Sequence, residues 1–117
     1  MKEKESVLIV GAGSGLSASL ARLCASKEMK VVMASRNIEK LENLKKEIKA
    51  ETYKCDSSNI ESVSNLFKET DKTIGIPNLV IYNPSTRLKG SITDINPTKT
   101  QEAINVTCFG AFLVAQE

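Results

Sequence analysis

The stretch from Ser6 to Arg22, SVLIVGAGSGLSASLAR, constrains this chain more than any other. Its apolar run, Val7 to Val10, stops at the glycines Gly11, Gly13 and Gly15, and Leu16, Leu20 and Leu23 then recur at helical spacing. A continuous apolar run closed by turn residues and followed by a helical period reads as strand, tight turn, helix. Glycines in such a turn permit backbone angles and close approaches that a Cβ would block. The helix behind it opens with unpaired N–H groups and the positive end of its dipole, a setting suited to a pyrophosphate. The same turn also serves simply to pack a helix on a sheet, so its meaning depends on the rest of the chain.

The rest of the chain repeats the alternation. Strand one is read over Ser6–Val10 and helix one over Ser14–Lys27. Met29–Ala34, MKVVMA, is a Val-rich run of the kind found in buried parallel strands. Ile38, Leu41, Leu44 and Ile48 mark one face of a second helix. Glu51–Cys55 reads as a third strand, and Asp56 or Ser57 as the cap of a third helix with Ile60, Val63, Leu66 and Phe67 inward. Gly75 and Pro77 break the chain before a fourth strand, Asn78–Tyr82. Asn83–Asn96 reads as loop with a short helical turn near Gly90–Ile95, and Asn96-Pro97 as N-cap and first residue of a last helix. Strands alternating with helices imply an α/β fold with parallel pairing and right-handed crossovers.

The last helix is apolar all round. Ile104, Cys108, Ala111 and Ala115 form a stripe expected to pack on the sheet. Val106, Phe109 and Leu113 form another on nearly the opposite side, widened by Phe112 and Val114. A helix of this kind needs a second partner. The fourth strand, NLVIY, also lacks a predicted neighbour on one edge.

At 117 residues the chain forms one domain, residues 1–117. A net charge of +2 carries no nucleic-acid footprint. The sequence has no His, which excludes His-based metal sites, and Cys24, Cys55 and Cys108 lack metal-ligand spacing. They read as small core residues in a reducing compartment. The charged start, MKEKES, and the short apolar run after it fit neither a signal peptide nor a membrane span, so a cytoplasmic location is expected.

Read as G-x-x-x-G-x-G, the first turn has Gly11 and Gly15 in place and Ser17 in the last slot. That spacing resembles the short-chain dehydrogenase/reductase family. Read as G-x-G-x-x-G, it has Leu16 where the third glycine belongs. The resemblance implies a Rossmann-like, doubly wound parallel sheet in the order 3-2-1-4, with a dinucleotide at the carboxyl ends of the strands. Gly11, Gly13, Ser14, Gly15 and Leu16 are then its phosphate turn. Ser35 and Arg36 fall where such folds read the ribose. A guanidinium there pairs with a 2′-phosphate where a carboxylate would repel it, which favours NADP(H) over NAD(H); the other reading is a solvated loop Arg. Asp56 matches the family's adenine contact, or is simply a helix cap. Asn83 matches the second Asn of the family's Asn-Asn-Ala-Gly, with Pro84 and Ser85 replacing Ala and Gly. Asn105 matches the Asn of the catalytic Asn-Ser-Tyr-Lys tetrad, which in the family holds a water of a proton relay. Its alternative is a local bond within the helix. The resemblance also implies that the second partner of the last helix is a second copy of the chain, giving a homo-oligomer through that helix.

Family members are about twice as long, and their Ser and Tyr-x-x-x-Lys lie beyond the position of Asn105. In this sequence Tyr53 is followed at the fourth position by Ser57, and Tyr82 by Thr86. The resemblance therefore implies a truncated or partial NADP(H)-dependent oxidoreductase, acting on a carbonyl or alcohol only when completed. The alternatives are a non-catalytic nucleotide-binding module, or a structural subunit completed by another chain.

Overall fold

A computed structural model describes residues 3–117. Four strands, β1 (Ser6–Val10), β2 (Lys30–Ser35), β3 (Glu51–Lys54) and β4 (Leu79–Tyr82), form one sheet in the order β3-β2-β1-β4. Every pairing is parallel: Val7 lies opposite Val31 and Leu79, and Val32 opposite Glu51. The strand order is the one expected. It follows from one right-handed crossover per helix, with the chain moving outward from β1 to β3 and then returning to β1's free side.

Helix α1 (Leu16–Ser26) follows the Gly-rich turn. A 3-10 turn (Glu39–Leu41) leads into α2 (Glu42–Ile48), and α3 (Ile60–Ile74) follows β3. After β4, the chain forms α4 (Pro97–Ile104), a π-helical segment (Asn105–Phe109) and α5 (Gly110–Gln116) without interruption. Alternate residues of β1 and β2 enter different cores, as the pleat requires. Val7, Ile9, Val31 and Met33 pack under α1 and α2 with Ala18, Ala21, Cys24, Leu41 and Leu44. Leu8, Val10, Val32 and Ala34 pack under α3 and α5 with Val63, Leu66, Leu113 and Val114. Burial on both faces explains why these strands read as unbroken apolar runs.

Three expectations are corrected. Helix α1 starts at Leu16, with Gly15 as its cap residue, and buries Ser17, Ala18, Ala21 and Cys24, while Leu16 and Leu23 are exposed. Small residues on that face let the helix lie close to the sheet. The cap of α3 is Asn59, whose Oδ1 accepts from Ser62 N–H at 2.9 Å, rather than Asp56 or Ser57. A turn closed by Asn59 N–H on the Asp56 carbonyl delays the helix by three residues, so Asn59 is the residue left in extended backbone. The expected stripe of the last helix is also displaced: Gly110, Leu113 and Val114 are buried, while Ile104 and Cys108 are exposed. The π-helical segment adds one residue to a turn and rotates the following face by about 100°.

The short turn in the loop is present, with Asp94 and Ile95 N–H both donating to the Ser91 carbonyl. Among the described residues, β4 pairs only with β1. Leu79 and Val80 remain 44% and 39% exposed beside a groove of about 690 Å³ bounded by α3 and α5.

Candidate functional site

The turn after β1 and the loop after β4 meet at Gly11. Its φ of +85° lies in the left-handed region, and a Cβ there would strike the Pro84 nitrogen and stand 2.8 Å from the Asn83 carbonyl carbon. Only glycine satisfies both constraints. Gly11 and Ala12 N–H both donate to the Ala34 carbonyl, at 2.9 and 3.0 Å, which ties the turn to the end of β2. Gly13 and Gly15 differ from Gly11: a Cβ at either would meet nothing within 4 Å. No side chain caps the first turn of α1, and no acidic residue occupies it. Its N–H groups and dipole therefore face outward without a protein counter-charge.

Ser17, in the slot where the glycine pattern ends, does not point outward. It is buried, its Oγ donates to the Gly11 carbonyl at 3.2 Å, and it accepts from Asn83 Nδ2 at 3.0 Å. One hydroxyl thus joins the glycine turn, the first turn of α1 and the end of β4.

A pocket of about 250 Å³ lies at the carboxyl ends of the strands. It gathers Gly11, Gly13, Ser35, Arg36 and Asn83 from the expected set. Arg36 and Lys40 are its charged residues, and no carboxylate lines it.

The far wall depends on Tyr82. Its hydroxyl donates to the Val106 carbonyl in the π-helical segment. Gly110 N–H bonds to Asn105 O, five residues back, which leaves the Val106 carbonyl for Tyr82. Gly110 is needed for this approach, because a Cβ there would collide with the Tyr82 hydroxyl and stand 2.7 Å from the Ser57 carbonyl oxygen. Burial pushes the Tyr82 phenol above its ordinary pKa. Burial likewise raises the Cys55 thiol, whose Sγ accepts a bond from the Ser62 hydroxyl.

The sequence profile of the short chain dehydrogenase family matches residues 5–117. The chain belongs to the short-chain dehydrogenase family. An uncharacterized oxidoreductase of Staphylococcus aureus strain USA300 is 33% identical over 112 residues, which cover 93% of this chain and 48% of that protein. A short-chain type dehydrogenase/reductase from Mycobacterium marinum superimposes with a TM-score of 0.91 at 22% identity, over 96% of this chain and 47% of that one. A metagenomic short-chain oxidoreductase in complex with NADP superimposes with a TM-score of 0.89 at 23% identity, over 96% and 53%. At these identities the superpositions speak for the fold alone. The chain spans about half the length of the curated relatives it matches.

Within this short-chain dehydrogenase fold, some expected residues lie outside the pocket lining. Ser14, Gly15 and Leu16 are exposed at the turn and the start of α1. Asp56 is exposed, and its Oδ1 accepts from Ser58 N–H at 3.0 Å and from the Ser58 hydroxyl at 2.7 Å; its neighbours Cys55 and Ser57 line the pocket instead. Asn105 accepts from Gln101 Nε2 at 3.2 Å within its own helix, and its neighbour Val106 lines the pocket. Sequence reasoning missed Lys40, Ser57 and Val106. No motif or period marks them: Lys40, beside the inward-facing Leu41, reads as ordinary solvated surface. No helix among the described residues is long and apolar enough to cross a membrane.

Proposed function

We propose that residues 1–117 are the dinucleotide-binding domain of an NADP(H)-dependent short-chain oxidoreductase, whose complete form moves a hydride between NADP(H) and a small carbonyl or alcohol substrate. The observation that carries this reading is the pocket at the strand ends, bounded by the glycine turn and by two cations with no carboxylate. The fit is favourable in three respects. The backbone at Gly13 and Gly15 is unobstructed, α1 has no capping side chain, and Ser35 followed by Arg36 offers no acid to a ribose hydroxyl. Gly11, Gly13, Ser14, Gly15 and Leu16 would hold the pyrophosphate, Arg36 beside Ser35 the 2′-phosphate, Asp56 the adenine and Asn83 the nicotinamide ribose. The bound nicotinamide supplies or accepts the hydride. Asn105 keeps its amide N–H groups free of protein partners among the described residues, as a positioning role toward a relay water requires.

The chain's own chemistry stops short of turnover. A general acid and the Lys that lowers its pKa are worth on the order of 10²–10⁴ in rate, and neither Tyr53 nor Tyr82 has a Lys at the fourth position. Tyr82 is moreover committed to the Val106 carbonyl. This favours a chain that binds nucleotide and leaves catalysis to further residues. The edge of β4, which has no strand beside it among the described residues, and the exposed Ile104, Phe109 and Phe112 support association with more protein, a second copy through the last helix being the simplest case. The three free cysteines support a cytoplasmic setting.

Calorimetric titration tests the cofactor reading. NADPH should bind more tightly than NADH, Arg36→Ala should narrow the gap, and Ser35→Asp should reverse it. Equal affinities for the unmodified chain would sink it.

A further inference from the structure

We propose that Lys40 is a second reader of the 2′-phosphate, acting with Arg36 on one wall of the pocket; this rests on the reading that the pocket takes a 2′-phosphorylated dinucleotide. Arg36 is conspicuous in the sequence because it directly follows β2. Lys40 is not, because it sits in the middle of the 3-10 turn before α2. The fold nevertheless brings both to the same 250 Å³ pocket, beside Ser35 and the glycine turn.

The segment between them is anchored at both ends and braced in the middle. Ser35 is 6% exposed and Leu41 is 1% exposed, so each end is fixed in the core. The Asn37 Oδ1 accepts from Glu39 N–H at 3.1 Å, and Leu41 N–H donates to the Ile38 carbonyl at 3.0 Å. Arg36 and Lys40 are the exposed cations carried on this braced turn.

Among the described residues, neither cation has a carboxylate partner. The ion pairs among the described residues are Arg22–Glu47, Lys46–Glu42 and Lys72–Glu69. The chain has 14 acidic residues, yet none lines this pocket. Two like charges set together on a fixed turn repel unless an anion lies between them. A phosphomonoester carries about −1.5 to −2 charges at pH 7, more than one guanidinium balances. The two side chains also differ in what they give. The guanidinium fork fixes the orientation of a phosphate, whereas the ammonium adds a mobile point charge with three donors. A ribose 2′-hydroxyl carries no charge for the two cations to balance, so it gains far less from them than a phosphomonoester does.

The test is calorimetry on the full chain with four probes: NADP⁺, NAD⁺, 2′,5′-ADP and 5′-AMP. The unmodified chain is compared with Arg36→Ala, Lys40→Met and Lys40→Arg. Lys40 is exposed and Leu41 is untouched, so the variants keep the fold, which circular dichroism verifies. Lys40→Met should weaken NADP⁺ and 2′,5′-ADP by about tenfold and leave NAD⁺ and 5′-AMP within about twofold. Lys40→Arg should restore most of the loss, and Lys40→Met should reduce the salt dependence of NADP⁺ binding. An equal loss for NADP⁺ and NAD⁺ would overturn the proposal, because Lys40 would then be reading a part common to both. A preference for NADP⁺ that survives Lys40→Met but vanishes in Arg36→Ala would overturn it while leaving the NADP(H) reading intact. No preference in the unmodified chain would overturn both.

Discussion

The Asn83 side-chain amide donates to the Ser17 hydroxyl at 3.0 Å, and that hydroxyl donates to the Gly11 carbonyl at 3.2 Å. Ser17 occupies the slot where the family's phosphate turn ends in glycine, and it converts that slot into a bond across the site. The hydroxyl is buried and serves as both donor and acceptor, so its hydrogen-bonding capacity is largely used.

Removing it should cost stability. Ser17→Ala is expected to lower the unfolding free energy by about 1 kcal/mol, read as a lower urea midpoint at an unchanged slope. Ser19→Ala, on the exposed side of α1, should change it by less than about 0.5 kcal/mol. Equal effects would mean that the Ser17 bridge contributes nothing.

Gly11 and Gly13 should separate folding from binding. Gly11→Ala places a methyl group against the Pro84 backbone in a left-handed conformation, and a loss of about 3 kcal/mol or more is expected. Gly13→Ala meets open space, so its melting temperature should stay near that of the unmodified chain while nucleotide affinity falls. A Gly13→Ala chain that binds NADPH unchanged would remove Gly13 from the site.

Much of the architecture is legible in the sequence because burial on both faces writes itself as unbroken apolar runs, VLIV and KVVMA. The glycine turn is legible because its backbone permits few substitutes. The last helix is not. A π-helical turn leaves no periodic mark, yet it moves the buried face from Ala111 and Ala115 to Leu113 and Val114. The contact of Gly110 with Tyr82 is equally silent, being a meeting of residues 28 positions apart, 110 less 82. Lys40 was hidden for a related reason: a lysine beside a buried leucine on an amphipathic helix reads as ordinary solvated surface.

Tyr82 gives a pH signature. Its phenol must keep its proton to donate to Val106, and burial raises its pKa in the folded chain. A raised folded-state pKa contributes stability that is complete below the unfolded value of about 10 and is lost as pH climbs through the folded value. Tyr82→Phe should therefore be less stable than the unmodified chain by about 1 kcal/mol at pH 7, and the gap should close above about pH 10. Urea midpoints from pH 7 to 11 measure it. A gap that stays constant throughout would show that the hydroxyl is not a donor.

The last helix should set the oligomeric state. Ile104 is 52% and Phe112 56% exposed, and the Phe109 and Phe112 rings stack at 6.1 Å. Phe109→Glu should shift sedimentation at micromolar concentration toward the monomer. Leu113→Glu is a different experiment, because Leu113 is buried under the sheet and its replacement should unfold the chain. A soluble monomer unchanged by Phe109→Glu would contradict assembly through this face.

The central claim is that a dinucleotide sits at the carboxyl ends of the strands. Backbone amide shifts followed by NMR during an NADPH titration test it most directly. Saturable changes grouped at Gly11–Ser17, Ser35–Lys40 and Asn83–Ser85 are the expected result. Changes grouped instead at the β4 groove, around Phe67, Val80 and Val114, or none at saturating NADPH, would contradict it.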